Sequence, residues 1–324
     1  MRNHRNTPFP NSLSLMLNLA GLLLISCFLI QPVYGQDELK FAWPVPSRVT
    51  VLETVLKKGK TAKMQYDIVL TAQTTGKNRE VCFDKFQFLE IDGTDLSVPE
   101  NREKLGPVLS QVTALGSIIP TLVINPEGKV EDIIGVEDCV EYALKLLPSA
   151  DPNLSAMLRS PAMIVQMKQK SVDFWRVWVE MWLMCQAAPG KNATIEIEIP
   201  IIGGQTITAP LTVRNEGPSG DTGGDIRLSA ETVLQGEPAK KAMQHMMQAL
   251  VSKIPVKEGV KPFSPDMIKS MKRSSKFLVI TNPKTLQPRR AESESIIELT
   301  IEEQSKTETE KHEYVFDWMA KAGN

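Results

Sequence analysis

Between Thr194 and Ile202 the chain alternates with a period of two: Ile195, Ile197, Ile199 and Ile201 are apolar, and Thr194, Glu196 and Glu198 between them are polar. Successive side chains of a strand point to opposite faces, so this run has one face to bury and one for water. Met64, Tyr66, Ile68 and Leu70 repeat the pattern against Gln65, Asp67 and Thr71, as do Ile226, Leu228, Ala230 and Thr232. Strands with one apolar face need antiparallel neighbours and a covering layer, which dictates a sheet with helices packed on it.

Around these runs the remaining elements fall into place. Val49–Leu56 is β-rich and leads through Lys57-Lys58-Gly59-Lys60, a hairpin turn, into the Met64 strand. A strand is expected from Glu80 to Ile91, a covering helix from Pro99 to Leu115, and strands at 121–124 and 129–134 flanking Asn125-Pro126-Glu127-Gly128. Val136–Leu147 reads as a short helix, and Pro161–Cys185 as the longest one. Gly203-Gly204 signals a hairpin into 205–213, and residues 215–224 form a glycine-rich loop. Glu237–Ile254 is helical, Ser264-Pro265-Asp266 caps a brief helix to Met271, and 277–281, 289–301 and 309–318 close the chain as a meander linked by 282–285 and 302–306. The expected class is α+β: a curved antiparallel sheet, a half-barrel or a two-lobed β structure, covered by several helices. One large domain is expected over 36–324, or two packed lobes near 47–150 and 190–320 joined by the helix 161–185.

The N-terminus fixes an expected compartment. Arg2, His4 and Arg5 precede an apolar run, Leu13–Ile30, then Pro32 and the small-residue cleavage pattern before Gln36. Residues 1–35 read as a signal peptide, so the mature chain is exported, periplasmic or secreted. A retained anchor is one alternative. Another is a lipobox at Leu24-Ile25-Ser26-Cys27, in which a lipidated Cys27 would tether the protein, although Phe28, Leu29 and Ile30 continue the apolar run past it. No later stretch is long enough to span a membrane. Without residues 1–35 the chain carries 35 Lys and Arg against 38 Asp and Glu, spread evenly, so it offers no basic field for nucleic acid.

Catalytic and metal signatures are sparse. Cys82, Cys139 and Cys185 are too few for a disulfide framework and read as buried thiols, with one bridge among them left open. His245 and His312 lack any CxxC, HxH or HExxH context, so no metal or other cofactor is expected, and His312 reads as a solvated surface residue. Gly220-Asp221-Thr222-Gly223-Gly224 has threonine where a trypsin-like site has serine, and no histidine lies between His4 and His245 to serve as its base. Asn215, Asp221 and Asp225 carry oxygen ligands for Ca²⁺ without EF-hand spacing, and read as a turn. Gly190-Lys191 lacks the glycines of a phosphate loop. Glu196 and Glu198 share a strand face about 7 Å apart, a separation open to carboxylate chemistry and equally to a plain wet face.

Two apolar stripes are the strongest ligand candidates. Trp175, Trp178 and Trp182 recur at helical spacing, as do Met243, Met246 and Met247. Against a bent sheet they either fill the core or line a cavity for an acyl chain.

The order of strands and helices, with Phe277–Thr281 running through Asn282-Pro283-Lys284-Thr285 to Pro288, resembles the half-barrel of bacterial periplasmic lipoprotein carriers; the chain is also similar to secreted β-rich bacterial proteins. The resemblance implies a strongly bent antiparallel sheet whose helices line an apolar cavity. The expected function is a non-enzymatic exported protein that binds a lipid, another apolar ligand or a lipid-modified partner. A structural protein of the cell envelope that binds a protein partner is the alternative, and a carboxylate hydrolase a third.

Overall fold

The structure is a computed structural model that describes residues 39–318 except 75, 117–118, 147–154, 157, 186–188, 202–204, 221–223 and 252–263. Twelve strands form one antiparallel sheet. β1 (Ser47–Lys57) and β2 (Lys60–Ala72) make a hairpin through Lys58 and Gly59, whose φ of 54° and 74° are the two positive values a tight two-residue turn requires. Then come β3 (Arg79–Ile91), β4 (Thr94–Asp95), α1 (Pro99–Gly116, kinked at Gly106), β5 (Thr121–Ile124), β6 (Val130–Ile134) and α2 (Val136–Leu146). The middle is α3 (Pro161–Ser171), α4 (Asp173–Trp178) and a 3₁₀ segment, Glu180–Met184. The last part is β7 (Asn192–Ile201), β8 (Gln205–Pro218), β9 (Ile226–Gln235), α5 (Gly236–Val251), β10 (Ile268–Thr281), β11 (Pro288–Ile301) and β12 (Gln304–Trp318).

The strand order is β6-β5-β3-β2-β1-β12-β11-β10-β9-β8-β7, with β4 beside β3. The first and last described strands, β1 and β12, are therefore neighbours in the middle of the sheet. Alternation does what periodicity dictates: in β9, Ile226, Leu228, Ala230, Thr232 and Leu234 are buried while Arg227, Glu231 and Val233 face out. A single hydrophobic cluster draws on both halves, from Val49, Ile68 and Val81 to Leu211, Val279 and Phe316. Among the described residues no helix is long and apolar enough to cross a membrane.

Several expected elements change. The helix expected over 161–185 is three pieces. Ser160 caps the first, its side chain accepting from the Met163 N–H, but at Val172 (φ −97°, ψ −11°) and Val179 (φ −137°, ψ −64°) the backbone leaves α geometry. Both breaks fall at β-branched residues, and i→i+3 bonds such as Trp182 N–H to Val179 O tighten the chain there. The breaks let the indoles part: Trp175 reaches Phe41 and Trp43, while Trp178 reaches Tyr314 and Phe316. The helix expected up to Met271 is only a 3₁₀ turn, Pro265–Met267, capped as expected by Ser264, because Ile268 already pairs with Ile301. The meander is longer than expected. The 302–306 link shrinks to a two-residue turn at Glu302-Glu303, since strand pairing continues to Ile301↔Gln304. Cys82, Cys139 and Cys185 are all free, the last two buried, and burial pushes the Cys185 thiol up to about 12.

Candidate binding site

Strand register lays a polar band across the inner face of the sheet, the face under α3 and α4. Directly opposed residues share a face. One row runs Val55, His312, Ser293, Phe277, Ala230; the next runs Lys57, Glu310, Ser295, Ser275, Thr232; Ile297, Arg273 and Leu234 follow. On the Glu53 side the face turns apolar through Tyr314, Ala291 and Val279.

The band is knit by charge. His312 Nδ1 lies 2.8 Å from Glu53 Oε1, and its Nε2 lies 3.2 Å from Glu310 Oε1. Lys57 Nζ donates to Glu310 Oε2 at 2.9 Å, and the buried Tyr66 hydroxyl donates to Glu53 Oε2 at 3.0 Å. Burial works against charge on His312, yet its hydrogen bonds to Glu310 and Glu53 win and hold its pKa up at about 9. Burial likewise opposes the Glu310 carboxylate, but the bonds from His312 and Lys57 bring it down to about 2. His312 is thus an imidazolium clamped between two carboxylates, and it has no free ring nitrogen to act as a base at neutral pH.

Across the gap, α3 and α4 bring Lys170, Asp173, Phe174, Arg176 and Val177 over this band, and Met181 follows on the 3₁₀ segment. Together they line a partly open cavity of about 250 Å³ with Arg273, Ser275, Phe277, Ser293, His312 and Tyr314 on the sheet side. Burial drives the Asp173 carboxyl up to about 7, with Arg176 and Lys170 pulling the other way. Its closest cation is Arg176, 3.6 Å away. Burial pushes the Lys170 ammonium down to about 8 and the Arg273 guanidinium to about 10. A wider groove of about 390 Å³ lies on the opposite face, over the row Thr212, Glu231, Lys276, Glu294, Lys311. Its charges alternate in sign from strand to strand, which is how a wet sheet face stabilises itself.

The residues singled out from sequence divide. Trp175, Trp178 and Trp182 are fully buried. Burying each removes about 150–250 Å² from water, on the order of 4–6 kcal/mol of transfer free energy apiece. Trp175 Nε1 donates to Gly128 O at 2.9 Å and Trp182 Nε1 to Val177 O at 2.6 Å, whereas Trp178 Nε1 has no partner among the described residues. Met243 is buried under α5, which packs on β8, β9 and β10. Met246 and Met247 share that helix, but their side chains lie outside the described residues, as do the whole of Cys27 and the Glu198 side chain. Glu196 is exposed. Asn215 is buried and its side chain accepts from the Gly217 N–H, while Asp225 faces Arg289 at 3.5 Å and Asp221 lies outside the described residues. Among the described residues no group of three or more His, Cys, Asp or Glu side chains is arranged to hold a metal ion.

His312 is the clear correction. It is not a solvated surface residue but the centre of the polar band, because β12 is an interior strand and this position faces inward. The reading from sequence missed Glu53, Lys170, Asp173, Arg273 and Glu310 altogether. The signal that finds them is polar residues at the inward positions of a period-two strand, as in Met271, Arg273, Ser275, Phe277, Val279. Compared with protein families and curated proteins, the chain matches none.

Proposed function

We propose that this chain is an exported, non-enzymatic binding protein that holds a small apolar or amphipathic ligand, a lipid or a lipid-modified group, between α3–α4 and the inner face of the sheet. The cavity of about 250 Å³ carries this reading, with Phe174, Val177, Met181, Phe277 and Tyr314 giving it an apolar wall. A bent sheet is part of the proposal. The rings of Phe174 and Phe83 (on β3) lie 4.7 Å apart, while α4 also packs on β10 and β11, so this two-turn helix spans six neighbouring strands. A flat sheet of six strands is about 24 Å across, more than a helix of this length covers. Clamping His312 as a cation disfavours base catalysis in the same cavity.

Titrating the purified chain with the neutral dye Nile red tests the reading. Saturable binding is expected at one site, and Ser293→Phe, which fills the cavity, should abolish it while the far-ultraviolet dichroism stays unchanged. Binding that survives the filled cavity, or none at all, removes the proposal. The second reading, a structural or interaction protein of the envelope, is favoured by the complete burial of Trp175, Trp178 and Trp182, and absence of dye binding would select it.

A further inference from the structure

Among the described residues, Arg273 and Lys170 line the cavity without a carboxylate in ion-pair contact. Arg273 is 6% exposed, and its hydrogen bond is a 3.3 Å contact from Nε to Ser295 Oγ. Among the described residues no carboxylate comes within 4 Å of its guanidinium, nor of the Lys170 ammonium. Burying an Arg with no carboxylate in ion-pair contact is costly, and a buried charge is ordinarily paired. The nearby carboxylates have closer partners, Glu310 in His312 and Lys57, Glu53 in His312 and Tyr66, and Asp173 in Arg176 at 3.6 Å. Asp173 and Glu310 attract the two cations only from beyond ion-pair distance. Lys170 and Arg273 both line the space between helix and strand, where each feels the attraction of Asp173 and Glu310 and Lys170 also the repulsion of Arg273.

We infer that the ligand of this cavity bears an anionic oxygen group, a carboxylate or phosphate, which Arg273 and Lys170 grip from the sheet and helix sides while its apolar body lies against Phe174, Val177 and Met181. The planar guanidinium fork suits two oxygens of one group, and Ser295 Oγ holds the fork in place. This inference rests on the binding reading above and narrows it to anionic amphiphiles.

Calorimetric titration of the full chain with dodecanoate, dodecanol, dodecyltrimethylammonium, acetate and inorganic phosphate, each below any micellar concentration, separates the two claims. Dodecanoate should bind roughly tenfold or more tighter than dodecanol, as hydrogen bonds to charged groups imply. The cationic amphiphile should bind weakest. Arg273→Met and Lys170→Met should each bring acid and alcohol to within about twofold of each other, with Lys170→Met serving if the Arg273 variant does not fold. Equal affinity for acid and alcohol in the unaltered chain overturns the inference and leaves the binding reading standing. Acetate or phosphate binding as tightly as dodecanoate supports the anion grip and removes the apolar ligand. No binding by any probe overturns both.

Discussion

Glu53 and His312 meet at 2.8 Å although 259 positions separate them, and the contact ties β1 to β12. With Glu310 on its other nitrogen, the imidazolium bridges two carboxylates on a half-buried sheet face, and Lys57 on Glu310 supplies the second balancing charge. His312→Gln keeps a polar side chain and removes the charge. It should lower the unfolding free energy by about 3 kcal/mol, the scale for breaking a buried charge pair from one side. The loss should appear as a lower urea midpoint at an unchanged m-value, and an unmoved midpoint would mean that water screens the cluster.

The same cluster sets a pH dependence. His312 titrates near 6.5 when free and near 9 when folded, because the bonds to Glu310 and Glu53 outweigh its burial. The folded state therefore binds this proton more tightly. The stabilisation is fully present below pH 6.5 and is lost as pH rises through 9. Between pH 7 and 8 the unfolding free energy should fall by about 1 kcal/mol. Asp173, raised to about 7, pushes in the same direction at lower pH, and Lys170, lowered to about 8, pushes the opposite way above it. Urea midpoints at pH 7 and 8 for the unaltered chain and His312→Gln isolate the effect: the variant's curve should be nearly flat there.

The three buried tryptophans are not equivalent. Trp175 donates to the Gly128 carbonyl, and Trp178 donates to nothing among the described residues. Trp175→Phe deletes ring volume and leaves a buried carbonyl without that donor. Trp178→Phe deletes similar volume but no hydrogen bond. Chemical denaturation should show Trp175→Phe costing about 1–2 kcal/mol more than Trp178→Phe, the desolvation cost of one orphaned buried group. Equal losses would show that packing alone decides both sites.

These contrasts also explain what the sequence made legible. The strands were readable because one buried face writes a period of two into them, as in Ile226 to Leu234. The turn at Lys58-Gly59 was readable because tight hairpins demand particular residues. The breaks at Val172 and Val179 were not: the local pattern favours a straight helix, and only the separate destinations of Trp175 and Trp178 on the folded sheet require bending. The site was hidden for a related reason. Glu53, Asp173, Arg273 and His312 lie far apart in sequence, and each alone looks like an ordinary surface charge. The pairing of β1 with β12, β12 with β11 and β11 with β10 brings Glu53, His312 and Arg273 to one face, and α4 lays Asp173 over it.

The turn beneath Trp175 provides the sharpest packing test. Gly128 has φ +88°, its carbonyl accepts from Trp175, and a Cβ placed on it would lie 2.6 Å from Phe41 Cγ. Phe41 cannot retreat freely, since it packs against Trp43 and Trp175 with the Arg79 guanidinium 5.3 Å from its ring centre. Gly135, the residue before α2, has a similar positive φ, +86°, but open space where its Cβ would go. Gly135→Ala should cost only the strain of a left-handed backbone, about 1 kcal/mol. Gly128→Ala adds overpacking of roughly 1–3 kcal/mol, for a total of about 3. Urea denaturation of the two variants side by side reads the difference directly. Equal losses would mean that backbone strain accounts for both and that Phe41 yields without cost.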